Sequence, residues 1–544
     1  MSSALLLTPD FKISKWQSRC IASIANEVKY IYIPRLKHEL ADSLFPKIKL
    51  RHVFYYLLNL RSIRQPKIQI DQSILKHAEI RYLEYSLTDK NWAKLDEESV
   101  QTILNDSPEY IYKCGLGLLY IPTDLEMIPI ISHHHGDPRR YRGRPAGFYE
   151  ILNDESVMGQ IVQVLSNELD AGRILAYGES KISRWSYKKT LKDAYSVSPY
   201  VFKNAISSFR QKKEVHINAS GRNYRLPTNQ IVFRIFACLI IEKLKRFVYG
   251  AFFEKHWNIA IANNFLGSTQ DPLALLHFAC SQPQGERPIR LKNKYLFYAD
   301  SFLLDDKIFL EGLRKFDGVG ELLELDPTTI RILNVIRPNQ LAKKHLAYPY
   351  ALKHNSTTYI YPDSSQFEAP FLLLRDDKFS ANFKTMTIDI PFLRTGVTDP
   401  SVVSIGDKFY MFGTLPEDPG VLRLWVGDDC TFSNAFEHEC SPVHIGPTGC
   451  RSGGRIFVNL GSMYRIAQDL SRRYGDGLCI YKIVTLTPSS FEECFIKSVK
   501  FERPVCGPHT FDANDSLICW DYYFESFSLL AGLRRLIAMI KSKL

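Results

Sequence analysis

At 544 residues the chain is too long for one domain of about 150 residues, and two to four folding units are expected. Hydrophobic residues at 45% and charged residues at 23% exclude a mostly disordered, collagen-like or coiled-coil chain. Lys plus Arg number 69 against 58 Asp plus Glu, and the net charge of +11 favours anionic partners without selecting one.

The N-terminus, MSSALLLTPDFKISKW, has an apolar run too short for a signal peptide, and no stretch reaches bilayer-spanning length. The 11 cysteines are scattered singly with no CxxC pair, which argues against both a disulfide framework and a zinc module. A reducing, cytoplasmic setting is the expectation. Residues 3–7 and 28–33 (VKYIYI) read as strands flanking an amphipathic helix at 16–26, the alternation of an open α/β sheet. A further strand, EYIYK, runs into Cys114, Gly115, Leu116 and Gly117, where glycines after a strand let backbone approach a ligand or simply make a tight turn. Residues 176–250 are more basic and less regular and read as a connector with a long helix at 231–247.

Beyond residue 256 the texture changes to short strands, aromatics and turns, with no strong helix expected until the C-terminus. The segments beginning at Ala299, Ala347 and Thr398 recur about 50 residues apart, each followed by a second strand (KIFL, TYIY, FYMF), and a divergent copy starts at Ser452. This period is that of propeller blades, with a β-sandwich as the alternative. Asp300, Asp363 and Asp399 fall at comparable blade positions, with Tyr348 where the aspartate would recur in the second blade. The last residues place Leu529, Leu530, Leu533, Leu536, Ile537, Ile540 and Leu544 on one helical stripe, with Arg534, Arg535, Lys541 and Lys543 largely outside it. Such a helix packs on its own domain or lies on a membrane surface.

The densest chemistry lies at 131–175, ISHHHGDPRRYRGRPAGFYEILNDESVMGQIVQVLSNELDAGRIL. Three adjacent histidines invite a metal, but neighbouring residues on a strand point to opposite faces, so His133, His134 and His135 do not converge on one ion. No metal is expected. His134, the Tyr141, Arg142 and Gly143 turn, and the later Leu169-Asp170-Ala171-Gly172 together resemble the formyltransferase family, which includes methionyl-tRNA and sugar N-formyltransferases. That resemblance implies a Rossmann-like α/β domain and N10-formyltetrahydrofolate as co-substrate. It puts the family histidine on His134, its aspartate on Asp170, and its asparagine on Ser132, a departure that leaves His133 or His135 to compensate. Cys114 to Gly117 and Tyr141 to Gly143 would then bind the cofactor.

The strings FYADSFLL, HLAYPYALKHNSTTYIYPDS, TDPSVVSIGDKFYMFGT and YRIAQDLSRRYGDG resemble the propeller domain of plant glucosamine inositolphosphorylceramide transferases, and more remotely arabinanase and xylosidase propellers. Asp300, Asp399, Arg451, Arg465, Gln468 and Asp469 are the candidate sugar or phosphate contacts there, with β-turn capping as the alternative for Asp300 and Asp399 and salt bridging between blades as the equal alternative for the other four. The expected layout is an α/β formyltransferase-like domain at 1–180, a connector at 181–255, an all-β five-bladed propeller at 256–525 and an amphipathic helix at 526–544. The expected activity is formyl transfer to the amine of a nucleotide- or lipid-linked amino sugar in cell-envelope polysaccharide or glycolipid biosynthesis, in the cytoplasm and with no nucleic-acid partner. Two rivals stay open: a glycan-binding protein whose formyltransferase half has decayed, and a propeller glycosidase.

Overall fold

The computed structural model describes residues 3–37, 49–62, 67–69, 77–267, 271–289, 294–316, 318–338, 341, 344–378, 380 and 382–541. It divides into two compact units, 1–243 and 244–544.

The first unit is built on a nine-stranded sheet. Its strands are β1 (Ala4–Leu7), β3 (Val28–Leu36), β5 (Glu79–Leu87), β6 (Ala93–Leu95), β7 (Tyr110–Lys113), β8 (Leu119–Tyr120), β9 (Ile130–His134), β11 (Val157–Val164) and β12 (Arg173–Lys181). Two small pairings stand apart, β2 (Lys12–Ser14) with β4 (Lys67–Gln69), and β10 (Tyr141–Gly143) with β13 (Arg222–Tyr224). The sheet order is β12-β11-β9-β7-β1-β3-β5-β6-β8, with β9, β7, β1, β3 and β5 parallel. Strands β1 and β7 are buried at every position, ALLL and YIYK, as a parallel sheet covered on both faces requires.

Helix α1 (Lys15–Ile24) starts where the Gln17 side chain accepts the Ser14 N–H at 3.0 Å. A second cap, Asp96, accepts the Ser99 N–H at 2.9 Å and opens the helix Glu97–Asp106. The region read as an irregular connector is more ordered than its composition promised. Strand β12 closes the sheet edge, and a 24-residue helix, Tyr187–Arg210, buries Leu191, Ala194, Val201, Phe202 and Ala205. The long helix at 231–247 runs from Asn229 to Phe252.

The second unit is almost entirely β. Three sheets follow in order. The first holds Tyr295–Leu304, Lys307–Arg314, Gly320–Asp326 and Arg331–Ile336. The second holds Tyr350–His354, Thr357–Tyr361, Phe371–Asp376 and Lys384–Thr387, and the third runs from Thr398–Ile405 to His444–Ile445. A nine-stranded sheet joins a four-stranded group, Thr448–Asn459 to Phe491–Val499, to a group centred on Phe253–Asn263 and Leu517–Phe527. The joint is a single parallel pair, Gly454 with Phe511.

Leading strands of these groups are tied to one another. The Ser401 hydroxyl donates to the Gly454 carbonyl at 2.9 Å, and the Leu303 N–H to Asp512 at 2.8 Å. One guanidinium, Arg455, reaches the Leu303 carbonyl at 2.9 Å, the Ala351 carbonyl at 3.0 Å and the Asp512 carboxylate at 3.0 Å.

The expectation of no helix between residue 256 and the C-terminus is overturned by Pro272–Ser281. Asp271 caps it through the Leu273 N–H at 3.0 Å, Pro272 occupies its first turn, and Leu275, Leu276 and Ala279 enter the core. The C-terminal helix spans Ala531–Lys541. Leu529, Leu530, Leu533, Leu536 and Ile537 are exposed, whereas Arg535 donates to the carbonyls of Tyr249, Gly250 and Phe253, and Arg534 pairs with Glu254 at 2.9 Å. The two arginines therefore fasten the helix to its own unit. The side chains of Ile540 and Lys541, and residues Lys543 and Leu544, lie outside the described residues.

Candidate functional site

Strand β9 carries His133 and His134, His135 follows directly, and the alternation of the extended backbone separates them. His133 and His135 share one face, packed edge-on to Trp16 at 4.8 and 5.1 Å and close to Phe202 and Tyr195. Burial drives both below the ordinary histidine range, His133 to about 4, so they are neutral core groups. Their compensation for Ser132 is thereby corrected: they lie on the far face of the strand from it.

His134 faces the other way and meets Asp170. Its Nδ1 stands 3.2 Å from Asp170 Oδ1, while Asp170 Oδ2 accepts the Gly143 N–H at 2.8 Å. His134 Nε2 lies 3.1 Å from the Tyr141 carbonyl. Both neighbours are acceptors, and a neutral ring with one N–H satisfies only one of them at a time. The three motif segments, whose outermost members His134 and Asp170 are 36 residues apart, thus close on one another through four side-chain or backbone groups.

The glycines explain the rest of the motif. Gly143 has φ of +83°, and a Cβ there would sit 2.3 Å from the Tyr224 carbonyl oxygen; at Gly172 a Cβ would sit 1.9 Å from that of Val164. Tyr141 and Arg142 hold the loop itself. The Tyr141 hydroxyl donates to Glu155 at 2.9 Å, and Arg142 donates to the Gly221 carbonyl at 2.8 Å and to Glu168 at 3.2 Å.

Ser132 is buried two residues before His134 and so on its face. Cys114 to Gly117 leave β7 at the C-terminal end of the parallel strands, where open α/β sheets bind ligands. Gly115, Leu116 and Gly117 all have positive φ, so the loop needs glycine for its geometry. Cys114 is buried, and burial pushes its thiol up to about 12, so its side chain offers no reactive thiolate.

The sequence reading missed Lys113. The register pairs Ile111 with Ile130 and Tyr112 with Ile131, which brings Lys113 level with Ser132. It is buried, and burial lowers its ammonium to about 8 against the pull of Cys114 and Asp170. The available signal was a lysine closing an otherwise apolar strand just before the glycine loop.

The second unit holds a cavity of about 210 Å³ lined by Trp257, Phe297, Ala299, Asp300, Glu311, His345, Ala347, Asp363, Ser365, Gln366, Asp399, Arg451, Tyr474 and His509. The repeat is real at the level of backbone: Asp300, Tyr348 and Asp399 have φ of +56°, +51° and +44°. Asp363 is different. It follows the second strand of its sheet and reaches the cavity from there, with its N–H on the Ala347 carbonyl at 3.0 Å.

Asp399 accepts from Arg451 and from Gln468 Nε2 at 2.8 Å. Gln468 is therefore a positioning group, itself buried. Arg465 is corrected outright as a ligand contact: its side chain is fully buried, paired with Glu493 at 2.6 Å within its own sheet. Asp469 caps a turn through the Ser471 N–H at 2.9 Å and does not line the cavity. Among the described residues, one group offers metal-ligand spacing, Asp300, His509 and Asp521. Asp521 already accepts four N–H groups, from the backbone of His509 at 2.8 Å, Thr510 at 2.6 Å and Asp300 at 3.2 Å and from His509 Nδ1 at 3.1 Å.

Residues 334–514 match the family model of the N-terminal part of glucosamine inositolphosphorylceramide transferase 1. A rice relative of that name (Oryza sativa subsp. japonica) is 28% identical over 158 residues, 27% of this chain and 20% of the relative. The chain thus spans about a fifth of the length of the curated relatives it matches. Solved structures similar to the N-terminal region include a sugar N-formyltransferase from a Shewanella species, at 16% identity, 41% of this chain, 76% of that chain and a TM-score of 0.26. A 4-N formyltransferase from Francisella tularensis matches at 14% identity over 41% of this chain and 76% of its own, with a TM-score of 0.25.

Proposed function

We propose that the chain is an N-formyltransferase that moves a formyl group from N10-formyltetrahydrofolate to the primary amine of an amino sugar. The observation that carries this reading is the convergence of His134, Asp170 and Gly143, with Nδ1 to Oδ1 at 3.2 Å and Oδ2 to the Gly143 N–H at 2.8 Å. The folate supplies a formyl carbon activated on nitrogen; everything else falls to the chain's own residues. Asp170, fixed by the Gly143 N–H, orients His134. On leaving the Tyr141 carbonyl, His134 Nε2 takes the proton that the attacking amine must lose as its bond to the formyl carbon forms, and returns that proton to the folate nitrogen as the carbon–folate nitrogen bond breaks. The Ser132 hydroxyl donates to the negative charge that develops on the formyl oxygen. The backbone of 114–117 lines the folate side of the sheet edge.

In the second unit we read the five strand groups as the blades of a propeller with Arg455 at its hub, and the unit as the part that holds the acceptor's glycan or lipid-linked portion. The matched relatives carry glucosamine and inositolphosphorylceramide in their name, which supports such an acceptor. The C-terminal stripe is then a peripheral membrane contact on the cytoplasmic side, made by its exposed leucines. No nucleic-acid partner is proposed.

Incubating the full chain with N10-formyltetrahydrofolate and a panel of amino sugars should yield a formamide detectable by mass spectrometry. No formylated product from any acceptor refutes the reading, and reducing sugar released without folate favours a glycosidase instead. In sedimentation with anionic vesicles the full chain should pellet, salt should weaken this, and a chain ending at Ser526 should remain in the supernatant; equal behaviour of the two removes the membrane contact.

A further inference from the structure

Charge inside the cavity of the second unit is unevenly matched. Of its four carboxylates, Asp399 has Arg451, Glu311 has His345 at 3.2 Å, and Asp300 has His509 at 3.3 Å. Asp363 makes no salt bridge among the described residues: Ser365 donates to its carboxylate, the N–H at 2.7 Å, and Arg451 and His345 act on it only from beyond salt-bridge distance. Burial, then the charge of Asp399, raises it to about 6.

His509 presents the opposite deficit. Its Nδ1 is held between Asp521 at 3.1 Å and Asp300, and its Nε2 is buried without a hydrogen-bond partner while the residue lines the cavity. Burial works against a charged ring, but the two aspartates outweigh it and push His509 up to about 10, so Nε2 carries a proton and is a donor. A buried donor left unmet is destabilising, and a ligand that accepts from it recovers that loss.

These demands select a ligand class. An anion would enter among four carboxylates, and an apolar molecule would leave both Asp363 and His509 Nε2 desolvated. A protonated amine answers Asp363, hydroxyl groups answer His509 and the remaining carboxylate oxygens, and Trp257 and Tyr474 are the aromatic residues of the lining. A metal ion is disfavoured because Asp521 has spent its oxygens on four N–H donors.

We propose that this cavity binds one amine-bearing sugar residue, its ammonium on Asp363 and a hydroxyl on His509 Nε2. The inference rests on the reading of the second unit as the acceptor-holding part and deepens it by naming what is held. The test uses the full chain with His134→Asn, so that binding is read without turnover, and titrates glucosamine, N-acetylglucosamine and glucose by calorimetry at neutral pH. Glucosamine should bind at least about tenfold tighter than the other two, and Asp363→Asn should erase that preference while circular dichroism stays unchanged. Asp363→Ser serves in its place if the asparagine variant does not fold. Equal affinity for the three sugars, no binding of any, or a preference that survives loss of the Asp363 carboxylate each overturns the proposal. A glucosamine preference in a protein that fails to transfer formyl groups would uphold it and refute the catalytic reading alone.

Discussion

In the first unit a single imidazole and a single carboxylate meet at the end of a parallel sheet, each held by backbone groups. In the second, four carboxylates, two histidines and an arginine crowd one cavity and mostly hold each other. The first arrangement leaves His134 with one partner, the Tyr141 carbonyl, that a substrate can replace; the second spends nearly all its charge on internal pairs and leaves His509 Nε2 without a hydrogen-bond partner and Asp363 without a salt bridge among the described residues. A site that moves protons needs a group whose partner is exchangeable, whereas a site that recognises needs fixed groups with defined deficits.

The largest effect that would sharpen this contrast is structural. Arg465 and Glu493 form a buried pair, where burial alone would raise Glu493 but the charges of Arg465 and His444 hold it down at about 2. Glu493→Gln should destabilise the second unit by about 3 to 5 kcal/mol in denaturant melts, because it strands a buried guanidinium. The sign follows from the lowered value: the wild-type contribution, about 3 kcal/mol, is full above about pH 4.5 and is lost as pH falls toward 2, while the variant lacks that dependence. A variant as stable as wild type would mean that the pair is interchangeable with neutral partners.

Next comes catalysis. His134→Asn or Asp170→Asn should lower formyl-transfer turnover by about a hundredfold or more with folate affinity nearly unchanged, since both act while bonds change. Wild-type turnover in either variant would dissolve the contrast between the two units. The smallest effect concerns Ser132, where Ser132→Ala should cost about 1 to 3 kcal/mol of transition-state stabilisation and Ser132→Asn should be tolerated. Rates equal to wild type in the alanine variant would point to another donor, and Lys113, level with Ser132 across the register, is the next residue to replace.

Much of the first site could be read in the linear chain. Tyr141-Arg142-Gly143 and the Asp170-Ala171-Gly172 run stand out because their glycines meet backbone constraints that no other residue satisfies, and such positions leave a visible pattern. Lys113 did not stand out, because its burial beside Ser132 depends on parallel pairing between strands that the sequence separates by 17 or more residues. The cavity was half legible. The repeat exposed Asp300, Tyr348 and Asp399 as equivalent, and their shared positive φ bears that out. Asp363 looked like another copy but arrives from a different strand end, and Arg465 looked like a surface contact but is fully buried.

Local patterns by themselves determined the strands, the caps, the turn glycines and the separation of the three histidines onto two faces, because each depends on residues within a few positions of one another. Tertiary structure alone decided that Asp170 reaches His134, that Glu493 rather than a ligand takes Arg465, and that His509 is clasped by two aspartates while Asp363 makes no salt bridge among the described residues. Electrostatic pairing acts through space, and whether a charge is matched or wanting depends on every group the fold brings within a few ångströms of it.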